Sequence, residues 1–322
     1  MTSGHGRAEA TETGRRTPPH GFGEDEATRR LLRSRPPGQA LAWAAARLGG
    51  PVIAARALRG GMSSAVHVLT VEHADNQRRQ AVLRRYVRPE LNAEDPGIAA
   101  REARALGVAE AAAVPTPLLL AADPSGAEAG VPAVLMSRLP GRVEWWPSDP
   151  ARWLAGLAGL LPRIHAAPLP PPGVLGPFAP YPQASYEPPG WARYPQLWRR
   201  AAEICHGRPP RLPTVLVHRD FHPGNVLWRR GRISGVVDWQ GVCTGPAVAD
   251  VAHCRVNLLT LGADVAGRFT DLWEHVAGAV YHPWADVVTI IGFLDDLRDD
   301  WGSERLLIED MLARAVAELG SA

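Results

Sequence analysis

The stretch LVHRDFHPGNVLW, residues 216–228, gathers His218, Asp220, His222 and Asn225 between two apolar ends. Such a set could bind a transition metal, hydrolyse a phosphate ester, or hand a phosphoryl group to an alcohol. The neighbouring segments of the chain bear on the choice. VLVH reads as a strand, RDFHPGN as a tight loop, VLW as a second strand, RRGR as a turn and ISGVVDW as a third strand. Asp220 and Asn225 then share one loop, and Asp238 stands at the end of the next hairpin. Pairing across that hairpin draws Asn225 and Asp238 together, two hard oxygen donors of the kind Mg²⁺ takes alongside phosphate oxygens and water. Asp220, uncommitted to the ion, is then available to accept the proton of an alcohol as that alcohol attacks phosphorus, a reaction in which positioning and charge neutralisation do most of the catalysis. Zinc is the weaker reading, because no third ligand of fitting spacing accompanies His218 and His222. A metal-dependent phosphohydrolase on the same His/Asp cluster would release phosphate without any nucleotide.

These side chains need a frame, and 322 residues with 46% hydrophobic content supply enough core for one large domain or two packed lobes. Residues 1–25 are polar and aperiodic, and are expected to form a loose tail. A short helix is expected at 40–48, then antiparallel strands at 52–58, 65–71 and 81–87, a helix at 97–112 stopped by Pro115, and strands at 117–121 and 133–137. LPGR at 139–142 closes the sheet region. Helices are expected at 150–166, 196–205, 285–300 and 303–319, with a Pro-rich irregular connection over 168–189. A small β-rich lobe therefore precedes a larger helical one, with the boundary at residues 138 and 139.

Composition narrows the partners. A net charge of +2 without a basic stripe argues against nucleic acid. The most apolar window, Ala105 to Ala122, is interrupted by Glu110, Pro115 and Pro117 and does not read as a membrane span. The first 35 residues lack the apolar core of a signal peptide, and Cys205, Cys243 and Cys254 are an odd, scattered set, so a cytoplasmic location is expected. There is no lysine: all 35 basic residues are arginine, so any site needing a non-titrating cation must use one.

HRDFHPGNVLW followed by GVVDWQGVCTGPAVADVAH resembles the aminoglycoside phosphotransferase family, small-molecule kinases of the protein-kinase-like fold. The likeness extends over about residues 52–300, and its D-x-x-x-x-N loop is a known protein-kinase signature. It implies an α+β bilobal fold, with a small antiparallel β-sheet N-lobe that binds ATP or GTP and a mainly helical C-lobe that binds a small-molecule alcohol. On this resemblance Asp220 is the catalytic base and Asn225 and Asp238 hold Mg²⁺. Asp250 braces the catalytic loop, and His165, His218 and His222 are supporting groups.

The small lobe carries weaker signals whose order gives them meaning. Gly60, Gly61, Ser63 and Ser64, in LRGGMSSAVHV, suit either a phosphate-cradling loop or an ordinary hairpin turn. Arg84 comes where a kinase places its phosphate-pairing cation, and Glu102 where the fold places that cation's partner. Arginine departs from the lysine of protein kinases, and its planar fork binds phosphate differently. Backbone groups near Ser137 and Leu139, in AVLMSRLPG, are expected to meet the purine. For the acceptor, the acidic residues Asp295, Asp296, Asp299, Asp300, Glu304, Glu309 and Asp310 could attract a cation or simply face solvent. Trp145, Trp146, Trp191 and Trp284 could form a wall or lie in the core. A nucleotide-binding module with little turnover is the alternative to an active enzyme.

Overall fold

Period-two burial builds the first sheet. In the computed structural model, which describes residues 26–58, 64–297 and 304–320, helices α1 (Glu26–Arg33) and α2 (Gly38–Leu48) precede strands β1 (Val52–Ala57), β2 (Ala65–Glu72) and β3 (Arg78–Arg85). Helices α3 (Pro89–Glu94) and α4 (Ile98–Ala109) intervene before β4 (Leu119–Asp123) and β5 (Ala133–Ser137). The five strands form one antiparallel sheet in the order β1-β2-β3-β5-β4. Successive residues of β3 face opposite sides. Ala81 and Leu83 join Trp43, Ala44, Leu69 and Leu135 in an outer core beneath α2, which leaves Arg84 on the other face, toward the rest of the molecule. In α4, Ala99, Glu102, Ala105, Leu106 and Ala109 are buried at helical spacing, which turns Glu102 inward beneath that same face.

The second region is mainly helical. It comprises β6 (Arg142–Val143), α5 (Pro150–His165), α6 (Pro195–His206), β7 (Thr214–Val217), β8 (Val226–Arg229), β9 (Arg232–Val236), β10 (Cys243–Pro246), α7 (Val248–Leu258), α8 (Ala263–Ala277), α9 (Trp284–Gly292), α10 (Leu294–Leu297) and α11 (Glu304–Gly320). Asp149 caps α5 by accepting from Arg152 N, with Pro150 in the first turn where its missing N–H costs nothing. The inward stripe of α5, including Trp153, Leu157, Leu161 and Ile164, enters the main core, which also takes Trp198, Trp239, Phe269 and Trp273. Helix α7 is buried on nearly all sides. A helix so placed must satisfy its polar side chains within the protein, which makes Asp250, His253 and Asn257 conspicuous.

All five expected N-terminal strands are present, with ends shifted by up to three residues. Two features of the catalytic hairpin depart from the sequence reading. β7 pairs with β10, Val217 opposite Cys243, while β8 pairs with β9 and β6. The third strand stops at Val236, because Asp238 takes a left-handed conformation (φ 68°) that no strand continues through. The helix expected over 285–300 breaks at Phe293. The Pro-rich connection is irregular and pinned: Phe178 N donates to Thr244 O at 2.7 Å, Gln183 Nε2 to Gly292 O at 2.8 Å, and Ala184 N to Asp295 Oδ2 at 2.7 Å. Among the described residues no helix is long and apolar enough to cross a membrane. The expected tail, residues 1–25, lies outside the described residues.

The acidic stretch near the C-terminus requires a correction. Glu309 neither faces solvent nor awaits a ligand. It is fully buried and accepts from Arg193 Nε at 2.5 Å, Trp198 Nε1 at 3.0 Å and Tyr194 N at 3.2 Å, which ties α11 to the start of α6. Asp310 pairs with the same arginine, and Asp295 holds the Pro-rich connection. Asp299 and Asp300 lie outside the described residues. Glu309→Leu should strand the indole and amide donors and lower the unfolding free energy in urea by about 2 kcal/mol, with the exposed side of Arg193 softening the loss.

Candidate active site

Asp250 organises the loop that runs from His218 to Asn225. Its carboxylate, completely buried, accepts from His218 N at 2.9 Å and Arg219 N at 2.6 Å, and His165 Nε2 lies 3.0 Å away. Burial pushes this carboxyl up, but His165 and the loop amides outweigh it and hold it below its ordinary value. Arg219 can then adopt φ 71°, an uncommon conformation for a non-glycine residue, because its own amide and that of His218 are tied down. His218 Nε2, 3.0 Å from Val237 O, fixes the loop against the end of the hairpin. His165, His218 and Asp250 thus form one buried brace.

The brace delivers Asp220 to a position where its side chain is 31% exposed. Asn225 Nδ2 donates to Asp220 Oδ2 at 2.9 Å and to Asp220 O at 2.8 Å. Both contacts are acceptors, so the amide nitrogen must face them and the amide oxygen must face away. The other carboxylate oxygen, Oδ1, lies 3.0 Å from His253 Nε2 and 3.6 Å from His222 Nε2. Burial alone would raise the Asp220 carboxyl, yet His222 and His253 hold it well below the usual carboxylate range, so it is ionised at neutral pH. Burial lowers His222 to about 4. At neutral pH that ring is uncharged and contributes an N–H dipole.

Across the crevice, Arg84 joins the two lobes. Its Nη1 lies 2.8 Å from Asp238 Oδ1 and 2.9 Å from Glu102 Oε1, while Tyr86 donates to Glu102 Oε2 at 2.6 Å. Burial works against the Arg84 charge, but Asp238 and Glu102 overcome it and hold the guanidinium firmly protonated. Burial also raises the Glu102 carboxyl despite Arg84. The Arg84 Nε is buried with no partner among the described residues. Val237 N donates to Asn225 O at 2.9 Å, which sets Asp238 one residue beyond the pairing that holds Asn225. The outward amide oxygen of Asn225 and the second oxygen of Asp238 are hard donors, and they fit a magnesium ion with phosphate oxygens and water completing its shell.

The structure brings together Asp220 with Asn225, and Arg84 with Glu102; Asp238, expected beside Asn225 as a metal ligand, is paired with Arg84. The hinge is more constrained than the sequence implied, because Ser137 N and Oγ are both engaged by Leu118. Leu139, beyond β5, packs its side chain against Gly235, where a Cβ would lie 2.4 Å from Leu139 Cδ1. Ser64 is buried at the start of β2, whereas Gly60, Gly61 and Ser63 lie outside the described residues. Of the tryptophans proposed for a wall, Trp145 stacks near His222 (6.2 Å between centroids), Trp146 is largely exposed, Trp191 donates to Leu297 O, and Trp284 is core. Sequence reasoning missed His253. The available signal was its place three residues after Asp250, one turn along the same helix.

The sequence profile of the phosphotransferase enzyme family matches residues 54–287. The chain belongs to this family. A homoserine kinase from a Chelativorans species is 30% identical to this chain over 169 residues, covering 45% of this chain and 47% of that relative; the chain thus spans about half the length of the curated relatives it matches. The macrolide 2'-phosphotransferase MphH from Brachybacterium faecium superimposes with TM-score 0.53 at 19% identity, covering 85% of this chain and 98% of the other. A thermostable mutant of aminoglycoside phosphotransferase APH(4)-Ia, solved with ADP and hygromycin B, gives TM-score 0.55 at 18% identity, covering 83% and 94%. At these identities the likeness establishes the fold, the α+β bilobal protein-kinase-like fold expected.

The buried imidazole of His222 has a consequence for stability. Its folded value is about 4 against 6.5 for a free histidine, so between those limits the unfolded chain binds a proton that the folded chain does not. This contribution to stability is complete above 6.5 and is lost as pH falls toward 4. Urea unfolding followed at pH 7, 6 and 5 should show a declining midpoint, and His222→Gln should flatten the decline.

Proposed function

We propose that this phosphotransferase moves the γ-phosphoryl group of ATP or GTP to a hydroxyl of a small molecule, with Asp220 as the base. The observation that carries the reading is the state of Asp220: a carboxylate kept ionised, partly open to the crevice, and fixed by the amide whose oxygen is turned away. As the alcohol oxygen forms its bond to the γ-phosphorus, its proton passes to Asp220. The bond from phosphorus to the bridging oxygen breaks, and the nucleoside diphosphate leaves with the electron pair. Mg²⁺, held by Asn225 and Asp238, would neutralise phosphate charge when bound. Arg84 would grip the α- and β-phosphates through its fork, with Glu102 holding it in register.

Residues 26–138 would then serve as the nucleotide lobe, and residues from 139 onward as the catalytic and acceptor lobe. The acceptor is an antibiotic such as an aminoglycoside or macrolide, or an amino-alcohol or sugar metabolite; the names of the related proteins support both classes. Use of a nucleoside triphosphate and three free cysteines favour a cytoplasmic site of action.

Nucleotide consumption in the presence of Mg²⁺ and a panel containing homoserine, choline-like alcohols, aminoglycosides and macrolides tests the reading. Asp220→Asn should lower kcat by about a thousandfold while leaving nucleotide affinity within a few-fold. Arg84→Ala should instead weaken nucleotide binding. Tight binding of MgATP by the wild-type chain with no transfer to any alcohol would make it a nucleotide-binding module.

A further inference from the structure

Asp220, His222 and His253 bring one carboxylate oxygen and two ring nitrogens within 4.8 Å of one another, a spacing that a transition metal could bridge. Hydrogen bonding opposes that use. Gly224 N donates to His222 Nδ1 at 3.0 Å, so the lone pair at Nδ1 is engaged and the neutral ring carries its proton on Nε2, the atom that faces Asp220. A metal at Nε2 would force that proton to Nδ1, directly against the Gly224 N–H. Trp145 and His253 flank the ring in stacked arrangements, at 6.2 and 5.8 Å between centroids. With the carboxylate ionised, His253 Nε2 at 3.0 Å must also present its proton to Asp220.

We propose that His253 is a positioning residue for phosphoryl transfer, fixing the Oδ1 side of Asp220 as Asn225 fixes the Oδ2 side. The inference rests on the phosphotransferase reading of the site. Rotation of a carboxylate about its terminal bond is soft, with broad minima, and a donor on each oxygen removes that freedom. Without His253, among the described residues only His222 faces Oδ1, at 3.6 Å, beyond a normal hydrogen bond. The location of His253 gives the contact its leverage. Asp250 and His253 lie one turn apart on α7, so a single buried helix holds the main chain of residues 218 and 219 and, independently, the side chain of residue 220. His253 is itself fixed edge-on against Phe293, at 5.2 Å between centroids.

Two measurements on the full chain test this. In ¹⁵N-histidine NMR, the His253 Nε2 should carry a proton hydrogen-bonded to Asp220, and Asp220→Ala should break that bond and shift the Nε2 resonance. In steady-state assays with MgATP and water or L-homoserine as acceptor, His253→Leu should lower kcat by about tenfold or more, with KM for ATP within about twofold. His253→Gln, which restores an N–H near the same place, should recover most of the loss. An unprotonated His253 Nε2, an unchanged kcat in His253→Leu, or a glutamine variant no better than leucine with unaltered melting temperature would overturn the proposal. Stoichiometric Zn²⁺ binding in calorimetry, lost in His253→Leu, would also overturn it in favour of a metal site. If the wild-type chain turns over no nucleotide with any acceptor, the phosphotransferase reading fails, and the positioning role fails with it even where the Nε2 proton is as expected.

Discussion

A carboxylate without any exposure to solvent is a severe demand on a fold, and at Asp250 the demand is met by two consecutive backbone amides and an imidazole. Three donors around one ionised group compensate much of its desolvation, and they come from two parts of the site: residues 218 and 219, which follow β7, and the end of α5. The loop therefore has one conformation, including a left-handed arginine. The position of Asp220 is a consequence, since its own carbonyl and carboxylate are then within reach of the Asn225 amide. The floor of the crevice is rigid because its most expensive charge is underneath it.

The roof is joined to that floor by another charge, on β3. Arg84 reaches Glu102 within its own lobe and Asp238 in the other, so a residue read as a phosphate contact also ties the two lobes together. A guanidinium suits this double service. It has several N–H groups in one plane, and Nη1 alone spans both carboxylates while Nε has no partner among the described residues. A lysine ammonium would offer a point charge in place of a fork. The absence of lysine from the whole chain is thus compatible with the chemistry, although the geometry of phosphate binding differs from that of a lysine site.

How much of this was legible depended on distance along the chain. Asp220 and Asn225 share one short loop, so spacing conveyed their proximity, whereas the ion pair of Asp238 with Arg84 joins residues far apart in sequence and was not anticipated. The five strands of the first sheet were legible because alternation of apolar residues survives in the sequence. His253 was not, because α7 is buried on nearly every side and carries no amphipathic rhythm to mark it as a helix or to show which face meets the loop. Glu309 was misread for a different reason: its neighbours in sequence are acidic, and the groups that neutralise it, Arg193 and Trp198, lie far away in the chain, on the other side of the catalytic loop. The left-handed Asp238, which ends β9 early, is a local conformation that valine-rich composition around it conceals.

The Pro-rich connection has a role that its irregularity hides. Phe178 and Pro177 run beside Thr244 on β10, whose partner β7 leads directly into His218, while Gln183 and Ala184 are fastened at the junction of α9 and α10. Proline after proline in this ribbon leaves few amide hydrogens needing a regular ladder, and those of Phe178 and Ala184 find single, specific acceptors. Thr244 thus ties the ribbon to the strand that leads into His218, so a displacement of either is felt by the other.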